Sequence, residues 1–339
     1  MVQYNRKFTR RKYFFAAVFE ECMKSVKIKS YAKINLTLEI KGIEGGFHML
    51  DSLVASVDLF DLILLKKRKD KQSTVRMKGM GSEEIPAEQN NAYKAALAFS
   101  KRFDCCGADI TVYKNIPIGA GLGGSSADVV GVLNGMAKLY GIDDREALGE
   151  LADRLGSDTR YMLTGGFARM QGRGEKVSFF DTDLTLHFLL LCPGTSVSAG
   201  GCYRRYDELP KTLDLKENFT EECLAALQQN NQNGVGRYVM NDLFPAAASL
   251  NSDVLTAKEA LSSFSPLAVE MTGSGSCVFA LFETRELCEW AKSRYRGDFR
   301  AYVVKTVIPD YCGKGVKSGF FNFKNPYALT DEERRLAEE

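Results

Sequence analysis

The segment from Asn115 to Gly141, NIPIGAGLGGSSADVVGVLNGMAKLYG, constrains this chain more than any other. Four glycines fall within Gly119–Gly124, Ser125 and Ser126 follow, and an apolar run begins at once. ADITVYKN before it reads as a strand. After it, Val129, Val130, Val132, Leu133, Met136, Ala137 and Tyr140 recur at helical spacing, with Gly141 as the stop. A strand, a glycine turn and a helix N-terminus in that order make an anion site. The glycines let the backbone come close and turn its N–H groups outward, and the helix dipole adds partial positive charge at Ser125 and Ser126. Either hydroxyl can cap the helix, contact a phosphate or ligate Mg²⁺.

Several loop types share these ingredients. The pattern G-x-x-x-x-G-K-[ST] fails, because no Gly-Lys-Ser/Thr follows the glycines. The dinucleotide pattern G-x-G-x-x-G is met literally by Gly119, Gly121 and Gly124, but Asn115 and Pro117 interrupt the entry where a buried strand should run. The acid about twenty residues on, Asp143 or Asp144, sits at a helix start instead of a strand end. A plain turn with a serine cap needs fewer glycines. A phosphate loop of a third kind is the better reading.

The rest of the chain bounds the chemistry. With 339 residues, 45% hydrophobic and 26% charged, it has room for two domains, each with its own core. Lys+Arg is 45 against Asp+Glu 43, so no strong field points to nucleic acid or membrane. The nine cysteines are scattered and odd in number, and adjacent Cys105 and Cys106 lack metal-ligand spacing; reduced thiols in the cytoplasm are expected. His48 and His187 are the two histidines, and neither lies in a zinc or hydrolase motif. No apolar run approaches the roughly 20 residues that span a bilayer. Residues 1–22 are basic and aromatic without a signal-peptide pattern, and Met23 reads as the natural start.

VKIKSYAKINLTLEIKG alternates as a half-buried strand, with Ile28, Ala32, Ile34, Leu36, Leu38 and Ile40 on one face and Lys27, Lys29, Lys33, Asn35, Thr37 and Glu39 on the other. DSLVASVDLFDLILLKK reads as one or two strands. Helices are expected over Asn91–Arg102, after Asp143 or Asp144, and over Thr220–Asn230, Ala257–Phe264 and Glu286–Tyr295. LHFLLLCPG, LAVEMTG, CVFALF and AYVVKTVI read as strands, which makes both halves α+β.

PIGAGLGGSSAD resembles the central motif of the GHMP kinases (galactokinase, homoserine kinase, mevalonate kinase and phosphomevalonate kinase relatives), in which this loop embraces the ATP phosphates. SYAKINLTLEI is similar to the first motif of that family and MTGSGSCVFALF to its third, and the likeness extends over most of residues 25–310. The resemblance implies a two-domain fold, an N-terminal ribosomal S5 domain 2-like unit and a C-terminal ferredoxin-like unit with the site between them. The expected division is an extension over 1–23, an ATP-binding domain over 24–183, a C-terminal domain over 184–310 and a charged tail over 311–339.

It also implies ATP and Mg²⁺ as cofactors. Pro117, Gly119, Ala120, Gly121, Leu122, Gly123, Gly124, Ser125 and Ser126 would surround the phosphates, with Ser126, or Ser125 almost equally, at the metal. A kinase must align a hydroxyl with the γ-phosphate, remove its proton and neutralise the phosphoryl charge. Asp158, in RLGSDTRY, matches the catalytic aspartate and Lys33, in AKINL, the catalytic lysine. From periodicity alone Lys33 is a solvated strand lysine and Asp158 a helix-end or turn aspartate; the two motifs together make the catalytic reading. Asn35 would bond the substrate polyol. Phe47 and His48, in GGFHML, match an aromatic–histidine pair that takes cytosine. Gly273 and Gly275, in TGSGS, would close over the substrate or phosphate side.

LGSD at Leu155–Asp158, PGTSVSAGGCY at Pro193–Tyr203 and NDLFP at Asn241–Pro245 resemble one branch of that family, and the resemblance implies phosphorylation of the 2-hydroxyl of a diphosphocytidyl-linked polyol in non-mevalonate isoprenoid biosynthesis. Two positions depart from that branch: Arg160 stands where a proline is usual, and Ala199 where threonine is more frequent. They keep open a different small alcohol as substrate, or a non-catalytic nucleotide-binding relative, although retention of both Lys33 and Asp158 argues against the latter. The expected partners are ATP and a small molecule, without nucleic acid or membrane, in a monomer or homodimer.

Overall fold

A computed structural model describes residues 23–79, 86, 89–210 and 218–311. The extension read over 1–22 and the tail read from 312 onward lie outside the described residues.

The spine is β3 (Phe47–Lys67), 21 residues without a glycine or proline. Aliphatic side chains on both faces favour a strand buried on both sides. Its first half pairs with β2 (Thr37–Glu44) and β6 (Phe167–Gly172), its second with β1 (Ser25–Asn35) and β5 (Ala108–Tyr113), all antiparallel. β4 (Thr74–Lys78) runs parallel to β5, and β7 (Lys176–Phe180) closes a hairpin with β6. β8 (His187–Cys192), β10 (Ala268–Met271), β11 (Val278–Phe282) and β12 (Arg300–Lys305) form a second, antiparallel sheet in the order β10-β11-β8-β12. The short β9 (Met240–Asn241) leaves this half of the chain and pairs with Thr37–Leu38 of the first sheet.

The helices cover these sheets. α1 (Asn91–Phe103) is capped by Asn90, whose side chain accepts from the Ala92 N–H. α2 (Gly124–Tyr140) ends at left-handed Gly141, as the sequence predicts. It is buried almost all round instead of along one face, because sheet and helices enclose it. Gly131 and Gly135 allow that approach: a Cβ there would come within 2.2 Å of Ile63 Cδ1 and 2.4 Å of Leu65 Cδ1 respectively. α3 (Arg145–Leu155) takes Asp144 as its cap, settling the choice with Asp143, and a single turn, α4 (Thr159–Met162), follows. α5 (Ala199–Glu208), α6 (Phe219–Gln228), α7 (Gln232–Tyr238), α8 (Phe244–Leu250), α9 (Ser252–Ser262) and α10 (Arg285–Arg294) complete the second half. α5, α7 and α8 escape a periodicity reading because they are short and carry glycine or small residues.

One expectation is corrected. The polar face of β1 and β2 begins at exposed Lys27 and half-buried Lys29 as expected, but from Lys33 onward it does not look to water: Lys33 is 4% exposed, Asn35 6%, Thr37 0% and Glu39 7%. The second half of the chain covers it and supplies partners. Thr272 Oγ1 accepts the Asn35 N–H at 3.0 Å, the Thr37 and Thr220 hydroxyls meet at 2.9 Å, and Glu39 Oε2 accepts the Thr220 N–H at 2.9 Å. Buried polar groups persist because each is hydrogen-bonded. Ordinarily a helical glycine is a weak point. Here Gly131→Val should lower stability by about 1–3 kcal/mol through overpacking against Ile63, read by chemical denaturation.

Candidate active site

The site is assembled from the glycine loop outward. Gly119, Gly121 and Gly123 adopt φ values of 68°, 75° and 73°, which few side-chain-bearing residues tolerate. Gly123 is the N-cap of α2 and has no side chain to close that end, so the first N–H groups of the helix face the loop without a side-chain cap. The loop is held by its own carbonyls. Leu122 accepts the Lys33 N–H at 3.0 Å, and Ala120 accepts the Cys277 N–H at 3.2 Å. Gly121 lies so close to the third motif that a Cβ would stand 2.1 Å from the Thr272 carbonyl oxygen.

Beneath the loop, the Lys114 ammonium lies between Asp61 and Asp128, 3.0 Å from the latter, and reaches the Gly124 carbonyl at 3.4 Å. Asp61 Oδ1 also accepts the N–H groups of Asn115 and Ile116, at 2.7 and 2.9 Å, which fixes the entry to the loop. All three groups are buried, two carboxyl groups to one ammonium. Burial acts to lower the Lys114 pKa, and the two carboxylates more than offset it. Burial, with the Asp61 charge added, pushes the Asp128 carboxyl up to about 8 against the pull of Lys114.

At the open end, Lys33 Nζ donates to Asn35 Oδ1 at 2.6 Å and lies 3.4 Å from Asp158 Oδ2. The lysine side chain is 6% exposed and the aspartate 30%, so the pair has a sealed side and an open one. The structure thus brings together the residues predicted from the first motif and from the LGSD stretch. Asn35 is held on every side: its amide donates to Ser52 Oγ at 2.9 Å, its oxygen takes Lys33, and its N–H goes to Thr272. Gly273 backs the pair, a Cβ there lying 3.5 Å from Lys33 Nζ and 3.0 Å from the Gly121 carbonyl oxygen. Gly275 supports the loop from behind, its carbonyl 3.1 Å from where a Gly121 Cβ would be. Asn241 donates to the carbonyls of Met271 and Gly273, at 2.8 and 2.9 Å, and so holds the third-motif turn.

The two loop serines, nearly equal in the sequence, separate in space. Ser126 Oγ faces the α3–α4 corner, 3.4 Å from where a Gly156 Cβ would lie, two residues before Asp158. Ser125 Oγ instead accepts from Asn91 Nδ2 at 2.6 Å. Pro117 leads into the loop, and Gly119 packs on Ser196 of the segment after β8.

Phe47 and His48 are neighbours on a strand and diverge. His48 Nε2 pairs with Asp207 Oδ1 at 2.8 Å, its ring lying 4.8 Å from that of Tyr203 and 6.1 Å from that of Tyr206, all on α5. Phe47 turns to the β6–β7 hairpin, where the Arg173 guanidinium lies 3.6 Å from its ring centre. Burial, and then the Asp158 charge, push the Tyr203 phenol well above its usual range. Tyr203, Asp207, Thr272 and Lys114 are not among the residues the sequence singles out for the site. Tyr203 ends the quoted PGTSVSAGGCY, and an aromatic closing that stretch was the available signal. Arg160, the departure beside Asp158, turns to α3: it pairs with Asp153 at 3.0 Å and covers Gly149.

Fold and site together define a small-molecule kinase. Residues 90–168 match the GHMP kinases N terminal domain and residues 223–294 the GHMP kinases C terminal domain. The chain is 31% identical over 288 residues to the 4-diphosphocytidyl-2-C-methyl-D-erythritol kinase of Clostridium tetani (83% of this chain, 100% of that one). It is 35% identical over 256 residues to the enzyme of the same name from Carboxydothermus hydrogenoformans (74% and 86%). A crystal structure of 4-(cytidine 5'-diphospho)-2C-methyl-D-erythritol kinase superposes with a TM-score of 0.67 at 27% identity, covering 83% of this chain and 98% of that one. Homoserine kinase from Cytophaga hutchinsonii shares the fold, with a TM-score of 0.64 at 20% identity over 85% of this chain and 96% of that one. The chain belongs to the GHMP kinase family, ATP-using kinases of small molecules, and within it to the 4-diphosphocytidyl-2-C-methyl-D-erythritol kinases.

The buried Asp128 makes a pH prediction. Its carboxyl binds a proton more tightly folded than unfolded, so stability falls as pH rises from about 4 to about 8. In Asp128→Asn this contribution is absent. The Tm advantage of wild type over the variant should therefore shrink between about pH 5 and pH 8.5, measured by thermal melts.

Proposed function

We propose that this chain transfers the γ-phosphoryl group of ATP to the 2-hydroxyl of 4-diphosphocytidyl-2-C-methyl-D-erythritol, in non-mevalonate isoprenoid biosynthesis. The observation that carries the reading is the Lys33–Asp158 pair, 3.4 Å apart, beside the Gly119–Ser126 loop. Phosphoryl transfer asks a protein mostly for position and charge. The loop N–H groups and the α2 dipole would cradle the phosphates. Asp158, the more open member of the pair, would accept the proton of the substrate hydroxyl. Lys33, anchored by Asn35, would hold that hydroxyl and offset the charge that develops on the transferred group. Asn35 in this reading acts on substrate mainly through Lys33, because its own side-chain atoms are already engaged.

Tyr203, Phe47 and His48 would receive the cytosine end, close to Asp158 but beyond the loop. Gly273 and Gly275 would close the phosphate side. The residues fit a Mg²⁺ held largely by the nucleotide: Ser126 presents a hydroxyl at the loop beside the Asp158 corner, and no cluster of three His, Cys, Asp or Glu among the described residues offers a protein cage. Bound there, the ion would neutralise phosphate charge.

We place the boundary between the nucleotide and C-terminal domains at 183/184, since β1–β7 build one sheet and β8 opens the other. No helix among the described residues is long and apolar enough to cross a membrane. A cytoplasmic enzyme suits the free cysteines of the described residues.

A coupled ADP assay on 4-diphosphocytidyl-methylerythritol, with mevalonate, homoserine and galactose as controls, tests the reading. Turnover should occur on the cytidyl substrate alone, and Asp158→Asn should lower kcat by roughly 10²–10⁴-fold. Turnover confined to one of the controls would falsify the assignment.

A further inference from the structure

Arg173 lies outside the motifs so far discussed and occupies a distinctive place. It sits in the β6–β7 turn, between left-handed Gly172 and Gly174. Gly172 pairs with Leu50 of β3, so the turn emerges beside the start of that strand, where Phe47 and His48 stand. On its other side the turn reaches the catalytic corner. A Cβ on Gly174 would lie 3.6 Å from the carbonyl oxygen of Ser157, the residue before Asp158. Arg173 therefore spans the interval between the aromatic end of the site and the aspartate.

Its guanidinium is stacked on Phe47 at 3.6 Å from the ring centre. No carboxylate among the described residues pairs with it, whereas Arg169 on the same hairpin is tied to Asp51 and Glu221. A guanidinium laid flat on an aromatic ring loses little hydrogen-bonding capacity. Its N–H groups point outward in the ring-parallel plane, set to take two oxygens of one phosphate. The stack also removes much of the rotamer freedom that a free arginine would lose on binding.

We propose that Arg173 is a substrate-binding residue that takes the diphosphate of a nucleoside-diphosphate-linked substrate between the Phe47–His48–Tyr203 end and Asp158. This rests on the function proposed above, which puts a diphosphate linker in that interval. Lys33 is committed to Asn35 and Asp158, so Arg173 is the cation placed to meet the linker charge. Phe47 then acts twice, as an aromatic wall and as the platform that fixes the guanidinium.

The test uses the full chain with Arg173→Ala and Arg173→Lys. In steady-state assays Arg173→Ala should raise KM for the cytidyl substrate roughly tenfold or more, as expected for loss of a charge-assisted bond, with kcat and KM for ATP unchanged. Arg173→Lys, which keeps the charge and loses the planar fork, should fall between the two. Calorimetry with the ATP site filled by a non-hydrolysable analogue separates phosphate from base. Wild type should bind CDP more tightly than cytidine, and Arg173→Ala should lose most of that difference while binding cytidine as before. Thermal melts should coincide, because Arg173 lies in a surface turn.

An active wild type with an unchanged variant KM overturns this inference alone. So does an equal loss of cytidine and CDP binding, which would make Arg173 a support for the aromatic wall. A wild type that neither turns over the cytidyl substrate nor binds CDP overturns the functional reading and this inference with it.

Discussion

Two main-chain hydrogen bonds hold the glycine loop: Lys33 N–H to the Leu122 carbonyl, and Cys277 N–H to the Ala120 carbonyl. They draw a strand of the large sheet and a turn of the small one onto the same few residues. The close approach is open only to glycine, since the Thr272 carbonyl fills the space a Gly121 side chain would need. The first bond ties the loop directly to the backbone of Lys33, and the second, with the Gly121 approach, ties it to the turn of the small sheet. Position is most of what phosphoryl transfer requires of a protein, so the chemistry inherits its precision from this backbone seam.

Charge is distributed to match. The buried Lys114 stands under the loop and is spent on Asp61 and Asp128. It orders the strand exit and the first turn of α2 without offering itself to a ligand. A buried ion cluster of this kind is expensive to desolvate and is weak evidence of stability, which makes its placement at the loop entry the more informative fact. Two other cations are held by a neighbour, Lys33 by Asn35 and Arg173 by Phe47. Each is held by a neighbour that limits its rotamers, so neither must be ordered at the moment of binding.

Much of this was legible before any coordinates. The loop, its strand and its helix follow from glycine placement and apolar spacing, and the Gly141 stop follows from local backbone chemistry, as does an aspartate cap for the next helix that only the structure assigns to Asp144 and not Asp143. Lys33 and Asp158 were legible only through motif resemblance. Alternation put Lys33 on a polar face, and nothing local said that this face is covered. The serines show the same limit: their order along the helix is plain, yet only the packing of α1 and the α3–α4 corner sends Ser125 to Asn91 and Ser126 toward Asp158. α5 was missed because Ser198–Gly201 lacks helical periodicity, and with it went Tyr203 and Asp207.

By itself the sequence determined the parts whose physics is local: which segments extend, which coil, where a helix stops, and that a glycine-rich loop joins a strand to a helix N-terminus between Asn115 and Ser126. Tertiary structure decided which polar residues are buried and what each one faces. Lys33 meets an aspartate 125 positions away because β1 and the α3–α4 corner flank the same loop. Arg173 lies on Phe47 because two hairpins share the edges of one long strand. Period and propensity describe a residue's own backbone. They carry no information about the surface that folds over it, and that surface is what brings a strand lysine to an aspartate and a turn arginine to an aromatic ring.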